Sequence, residues 1–366
     1  AIPQLEQHLE AFPRDFLAVN RLTQTLFFSG LPNARLQAKT ILDGLAPHLS
    51  DDWAFLGGHA FMLEEHGFYP EASDRAERAL ELYPRYAGAT HVVAHLNYET
   101  DSHGSGSDRL TAWLSEYSRE MPFYCHLSWH LALFELAQGH YSRAVEVFDR
   151  DIAPAVTSPT KFADLSSFLW REQLYGCATL DLDWQTMRPL AEAAAGAPAM
   201  GFFAAHAALW CAAVQDEAML GKLADGLRDL GARGHPIAGS VVLPLVLGIA
   251  AFGHGEYDET IRQIEPITGE IIRLGGSHAQ REVFEDTLLG AYLRGGHFDK
   301  AESLLRERLG RRASPRDFAW LAEAQKGLAR HGDALASISK SASLWPEAEA
   351  DNPEQHRTRE LAASLR

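Results

Sequence analysis

Cysteine is scarce. Three residues, Cys125, Cys177 and Cys211, stand in a chain of 366. No two form a CxxC pair and their number is odd, which excludes a disulfide framework and a cysteine-built metal ribbon as the organising device. They are expected as small buried hydrophobes in a reducing compartment, and the location expected is cytoplasmic. Positive charge is short as well: 33 Lys and Arg face 49 Asp and Glu, a formal net charge of −16. That balance argues against nucleic acid, whose non-specific binding rests on phosphate neutralisation, and against an anionic membrane surface. Long apolar runs are missing. The longest, residues 241–252, is too short to span a bilayer and carries Pro244. Strand-like alternation persists nowhere, which excludes a sheet. No secretory leader is visible, and the chain opens on Ala1 rather than Met. The expectation from that opening is a trimmed start, with a native N-terminal segment removed.

What is present is helical periodicity with a recurrent punctuation. A hydrophobic content of 46% excludes disorder as the overall state. One phrase returns four times: glycine, any residue, an aromatic, two residues, then a small residue. It reads Gly67-Phe68-Tyr69-Pro70-Glu71-Ala72, Gly139-His140-Tyr141-Ser142-Arg143-Ala144, Gly255-Glu256-Tyr257-Asp258-Glu259-Thr260 and Gly296-His297-Phe298-Asp299-Lys300-Ala301. Each copy sits between two apolar helical patterns. Glycine in a left-handed cap ends the first helix and the aromatic packs under the turn, so the unit is a helical hairpin. In the best copy, residues 61–84, Ala72, Ala79 and Pro84 fall at tetratricopeptide-repeat spacing, where small residues let two helices approach closely. The fold class expected is all-α, a tetratricopeptide-like α-α superhelix of degenerate hairpins. It is read as a single solenoid over residues 1–366, with about nine hairpins. First helices are expected near 14–29, 52–66, 85–99, 123–138, 161–176, 200–215, 237–254, 278–295 and 315–331. Second helices are expected near 34–48, 70–83, 107–118, 141–152, 184–194, 217–230, 257–275, 298–310 and 333–343. Residues 3–10 read as an orphan second helix and 352–366 as a tail helix. Polar breaks fall at 100–108 and 157–161. The first, rich in Gly and Ser, is expected as a flexible loop; it follows no strand and carries no Lys, so it is no phosphate cradle.

Histidine supplies the candidate chemistry. His91-Val92-Val93-Ala94-His95 and His126-Leu127-Ser128-Trp129-His130 each carry two histidines four residues apart, hence on one helix face. His59, His206 and His278 also fall on expected first helices, the ones that line the concave surface of such arrays, whereas His66, His103, His140, His254, His297 and His331 fall at turns. Two more stretches join the set. Asp164-Leu165-Ser166-Ser167-Phe168-Leu169-Trp170-Arg171 carries an acid in an early turn and an Arg suited to a carboxylate or phosphate. In Gly275-Gly276-Ser277-His278-Ala279-Gln280-Arg281, Ser277 is a natural N-cap with Gln280 three residues on, and His278 opens the helix beside free backbone N–H groups that favour an anion.

These phrases, the two His pairs, the Ser-Phe-Leu-Trp-Arg segment ending at Arg171 and the Gly-Gly-Ser-His-Ala-Gln-Arg segment, resemble the tetratricopeptide repeat protein 38 family. The resemblance covers roughly residues 14–310 and weakens in the C-terminal quarter. It implies an all-helical superhelix and brings no defined reaction with it.

The functional expectation is an enzyme or small-molecule-binding protein whose His-rich site lies in the concave channel, with His general acid/base chemistry on a small, anionic substrate. Catalytic candidates are His91, His95, His126, His130 and His278; substrate-binding candidates are Trp129, Trp170, Arg171, His206, Gln280 and Arg281. A divalent metal, if bound, would take His91, His95, His126 and His130. There is no His-Glu-x-x-His motif. Expected partners are a small-molecule ligand, no nucleic acid and no membrane, and a homodimer is compatible. The competing use of such an array is a scaffold holding a peptide or protein in its groove.

Overall fold

Each of the four Gly-x-aromatic phrases ends one helix and starts the next. Gly67, Gly139, Gly255 and Gly296 have φ of 79°, 79°, 75° and 78°, the left-handed region that a side chain would disfavour. The aromatic two residues on is in every case the first residue of the following helix.

The computed structural model describes residues 1–155, 158–176, 187–346, 348–349 and 352–365. Among the described residues there are twenty α-helices and no strand. Helix α1 (Ile2–Ala11) stands alone. Nine antiparallel pairs follow: α2 (Phe16–Phe27) with α3 (Ala34–Leu45), α4 (Trp53–Glu64) with α5 (Tyr69–Leu82), α6 (Ala87–Glu99) with α7 (His103–Ser115), α8 (Tyr124–Gln138) with α9 (Tyr141–Val147), and α10 (Pro159–Tyr175) with α11 (Arg188–Gly196), then α12 (Gly201–Ala213) with α13 (Glu217–Ala232), α14 (Leu243–Gly253) with α15 (Tyr257–Ile264), α16 (His278–Arg294) with α17 (Phe298–Arg311), and α18 (Pro315–Gly327) with α19 (His331–Leu344). Helix α20 (Pro353–Ser364) is the tail. Side-chain caps start several of these: Asp52 accepts from Ala54 N and Phe55 N at α4, and Ser277 with Gln280 forms a complete capping box at α16. No helix is long and apolar enough to cross a membrane among the described residues. Cys125 and Cys211 are buried free thiols, and burial pushes each up to about 12; Cys177 lies outside the described residues.

Three local differences from the sequence reading have physical causes. The Gly/Ser stretch expected as a loop is the first half of α7, which begins at His103. Its small residues are there for contact: a Cβ on Gly106 would meet Phe134 Cζ at 2.8 Å and Asn97 Cβ at 2.9 Å. The second helix expected over 257–275 is α15 followed by a ten-residue 3₁₀ stretch, Glu265–Leu274, with Pro266 at its start removing a helical N–H. The fifth hairpin's second helix, expected from 184, is described from Arg188, and residues 177–186 lie outside the described set, as does 157 in the second polar break.

The array curls until its ends meet its middle. Arg35 on α3 donates to Gly276 O at 2.5 Å across 241 residues, and Arg273 donates to Gly30 O at 2.9 Å. At the other end Trp345 Nε1 donates to Ala137 O at 2.7 Å, and Arg316 pairs with Glu354 of α20 at 2.9 Å. Helix α16 lies inside this curl. It is buried on every face, from Ala279 and Glu282 round to Phe284 and Leu288, as a helix enclosed by others must be. Helix α4 reaches it through Glu65, α6 through Tyr98 and Glu99, α10 through Trp170, Arg171 and Tyr175, and α12 through His206.

Candidate metal centre

Helices α6 and α8 run side by side as neighbouring first helices, and the i, i+4 spacing on each turns two His pairs toward one another. The four rings form one compact cluster, with even the His91 and His130 centroids only 5.0 Å apart. Centroids of His91 and His95 are 4.4 Å apart, His95 and His130 4.6 Å, His130 and His126 4.8 Å, and His126 and His91 4.8 Å. His91 Nε2 lies 2.9 Å from His95 Nε2 and 2.9 Å from His126 Nε2. Ring nitrogens of His91, His95 and His130 lie within 4.8 Å of one another.

What stands behind the rings fixes which nitrogen points inward. His126 Nδ1–H donates to Asp164 Oδ2 at 2.8 Å, and Gln280 of the capping box reaches the other oxygen of Asp164 at 3.3 Å. His95 Nδ1 faces Glu64 Oε2 at 3.4 Å, long for a hydrogen bond but close for charge attraction in the interior. With Nδ1 protonated toward a carboxylate, Nε2 of each ring carries the lone pair that faces the centre. Asp164 and Glu64 are both buried. His130 is fully enclosed, 0% exposed, and neither of its nitrogens has a hydrogen-bond partner. Phe61 stacks on His91 at 5.6 Å and half-exposed Phe123 meets its edge at 5.7 Å, so His91 and His126 form the side nearer solvent.

Burial, reinforced by the adjacent imidazoles, holds His91 and His130 well below the usual histidine value. Burial also opposes charge on His95, but Glu64, with Glu65 and Glu99 behind it, outweighs that and holds His95 above it. Burial raises Glu64 in turn.

The other expected residues separate into two groups. Trp129 stacks on His126 at 5.5 Å with an interplanar angle of 13°, and the Arg171 guanidinium lies 5.7 Å from the Trp129 ring. Gln280 joins through Asp164. His206 Nδ1 bonds the Phe202 carbonyl at 2.8 Å, and burial, against the pull of that carbonyl, brings it down to about 4. Its ring contacts are Phe202 and Phe284, not the four imidazoles. Trp170 donates to Thr287 Oγ1 at 2.9 Å and packs on Phe252, on the far side of α10. Arg281 pairs with Glu65 at 3.2 Å, and burial, with Arg35 beside it, lowers it to about 10. The helix N-terminus at His278, expected to take an anion, already takes one: Glu65 accepts from His278 N at 2.9 Å, while His278 Nδ1 pairs with Glu99 at 2.8 Å.

Of the carboxylates Glu64, Glu65, Glu99 and Asp164, sequence reasoning singled out Asp164 alone, as an acid in an early helical turn, and gave it no role. A signal existed for three of them: Glu64, Glu65 and Glu99 sit at the C-terminal ends of α4 and α6, where the helix dipole disfavours an acid unless something else holds it.

No family model matches the chain. Among solved structures it is similar to human IFIT1, as a dimer with m7Gppp-AAAA, at 14% identity over 94% of this chain and 76% of that chain, with a TM-score of 0.39. It is similar to the yeast Tom70 at 12% identity over 94% of this chain and 96% of that chain, TM-score 0.29, and to the P58(IPK) TPR domain at 14% identity over 100% of this chain and 92% of that chain, TM-score 0.24. The likeness is one of stacked helical hairpins and extends to nothing finer.

Proposed function

We propose that this helical-repeat protein, resembling the tetratricopeptide repeat protein 38 family in its His, Trp-Arg and Ser-His segments, is a divalent transition-metal protein with small-molecule chemistry at His91, His95, His126 and His130. One observation carries the reading. Four imidazoles converge at the interior junction of α6 and α8, two of them backed by buried carboxylates, while His130 has two buried nitrogens with no partner. Nitrogens around one tetrahedral zinc stand about 3.3 Å apart, given Zn–N bonds of ~2.0–2.1 Å, so the Nε2 atoms, now at the 2.9 Å of an N–H···N hydrogen bond, need separate by only a few tenths of an ångström to share a cation. A carboxylate on the outer nitrogen is the usual orienting partner of a ligating histidine. All-nitrogen donors suit zinc, copper, nickel or iron over magnesium or calcium. A divalent ion held by three of these rings, such as His91, His95 and His130, would keep a fourth position open and would supply Lewis acidity and an acidified water.

The test is elemental analysis of untagged protein purified without chelator, then reconstituted with zinc or cobalt. The expected result is about one ion per chain, with a melting temperature that falls on chelation. Asp164→Asn should weaken metal affinity by ~10–100-fold, read by competition with a chromogenic chelator. Protein that takes up no stoichiometric metal after reconstitution would overturn the metal reading and leave groove binding of a peptide or partner protein as the use of the array.

A further inference from the structure

Four arginines are buried among the described residues: Arg35, Arg171, Arg281 and Arg308. Three are neutralised. Arg35 and Arg281 share Glu65, and Arg308 is held by Asp286 and Asp317. Arg171, 1% exposed, has no carboxylate within ion-pair distance among the described residues. Its Nη groups donate to Ser167 Oγ and to Ala279 O, and its Nε–H has no acceptor. An enclosed positive charge with only neutral acceptors is costly unless an anion joins it.

The shortage of acceptors extends beyond one side chain. Trp129, whose ring lies 5.7 Å from the Arg171 guanidinium, is fully buried and its indole N–H is also without a partner. The Trp129 ring is in turn 4.8 Å from that of His130. Two orphaned donors, one of them charged, therefore belong to neighbouring side chains packed behind the imidazole cluster. A metal cation satisfies lone pairs and does nothing for N–H groups, so the metal reading leaves these donors unexplained.

We infer that Arg171 and Trp129 receive the oxyanion of a small substrate, a carboxylate or phosphate group, and so anchor it against the four-histidine centre. As a statement about substrate this rests on the metal reading; as a statement about binding it does not. Arg171 supplies the charge and directed N–H groups, and the indole supplies a donor with no competing acceptor function. Ser167 and the Ala279 carbonyl hold the guanidinium in place and define Arg171 as an anchor with its Nε–H still to be satisfied.

The experiment is calorimetric titration of the full chain, zinc-loaded, with inorganic phosphate and separately with acetate, which distinguishes the two sources of the oxyanion. One saturable site for at least one of them is expected. Arg171→Met should weaken it by about tenfold or more, and Trp129→Phe, which keeps an aromatic ring but loses the pyrrole ring with its N–H, by several-fold, with metal content unchanged. If Arg171→Met does not fold, Trp129→Phe decides. Wild-type protein that binds neither anion, or folded variants that bind as tightly as wild type, would overturn the inference. Repeating the titration on protein shown to be metal-free separates it from the metal reading: anion binding that depends on Trp129 in a chain that takes no metal keeps this inference and removes that one, and metal without anion binding does the reverse.

Discussion

Burying an imidazole is costly unless its nitrogens find partners, and the histidines of this chain sort by how far they find them. His59 pairs with Asp43 at 2.8 Å, His66 caps the Met62 carbonyl, and His206 caps Phe202. These are local solutions, and sequence spacing alone cannot tell them from a site. His91, His95 and His126 meet through their Nε2 atoms while His130, packed against them, has no partner at either nitrogen, and two i, i+4 pairs on adjacent first helices made this convergence legible. Asp164 stood out as an acid in an early turn, but that it and Glu64 back these rings was not legible, because both come from other hairpins and nothing in spacing records which helices meet. His278 shows the converse. It reads as catalytic from its place at a helix start, yet its partners are Glu99 and, through its backbone, Glu65. Burial opposes its charge and Glu99 more than restores it, so the folded value lies above the ordinary 6.5. Below the unfolded-state value both states hold the proton and the Glu99 pairing contributes in full; as pH rises through the higher folded value the proton leaves and the contribution fades. His278→Ala is therefore expected to lower stability at pH 5.5 by ~0.5 kcal/mol, solvent screening of the half-exposed ring included, and by less at pH 8.5. Urea melts at the two pH values check it, and a larger loss at the higher pH would contradict the assignment.

At the scale of elements, glycine carried both the clearest and the most misleading message. Followed by an aromatic two residues later, it marked four hairpin turns correctly because a left-handed cap has few alternatives. In Asp101-Ser102-His103-Gly104-Ser105-Gly106-Ser107 the same residue reads as looseness, whereas α7 uses it for proximity: Ser107 donates to Glu135 at 2.5 Å, and Gly106 lies against Phe134 and Asn97. Composition reports flexibility and close packing with the same letters, and only the partner helix distinguishes them. The two glycines of α7 should respond oppositely to alanine. At Gly104 the added methyl meets nothing nearer than the Gln138 amide oxygen at 3.4 Å, so reduced chain entropy in the unfolded state should stabilise by ~0.5 kcal/mol. At Gly106 the contacts of 2.8 and 2.9 Å force α7 off α8, and overpacking of about 1–3 kcal/mol outweighs the propensity gain. Urea denaturation of Gly104→Ala and Gly106→Ala measures both signs, and destabilisation at both positions would mean that α7 packs differently.

Across the whole molecule, closure changes what kind of repeat protein this is. An open solenoid has contacts only between neighbouring hairpins, so its stability is a sum of local terms and its ends unravel independently. Here the first hairpin is tied to the segment before α16 through Arg35, whose guanidinium reaches Glu65 at 2.6 Å and Gly276 O at 2.5 Å and lies 4.2 Å over the Phe27 ring. Glu65 joins that tie to the start of α16 by accepting from His278 N and pairing with Arg281. Burial alone would raise this carboxyl, but the two guanidiniums hold it far below the ordinary carboxylate range. Cutting the tie should therefore cost more than one hydrogen bond, because Glu65 is left buried with half its positive charge. Arg35→Met is expected to destabilise by about 3 kcal/mol, in the range for breaking a buried pair from one side. The distribution of the loss is the sharper prediction. If closure makes the array cooperative, wild-type amides of α2, α3 and α4 exchange only with global opening, and the variant shifts them to a faster, local opening while α10 and α12 keep their protection. Hydrogen exchange read by mass spectrometry resolves this; acceleration spread evenly along the chain would show that the variant still opens only as a whole, and wild-type amides of α2–α4 that already exchange by local opening would show that the superhelix frays as an open one does.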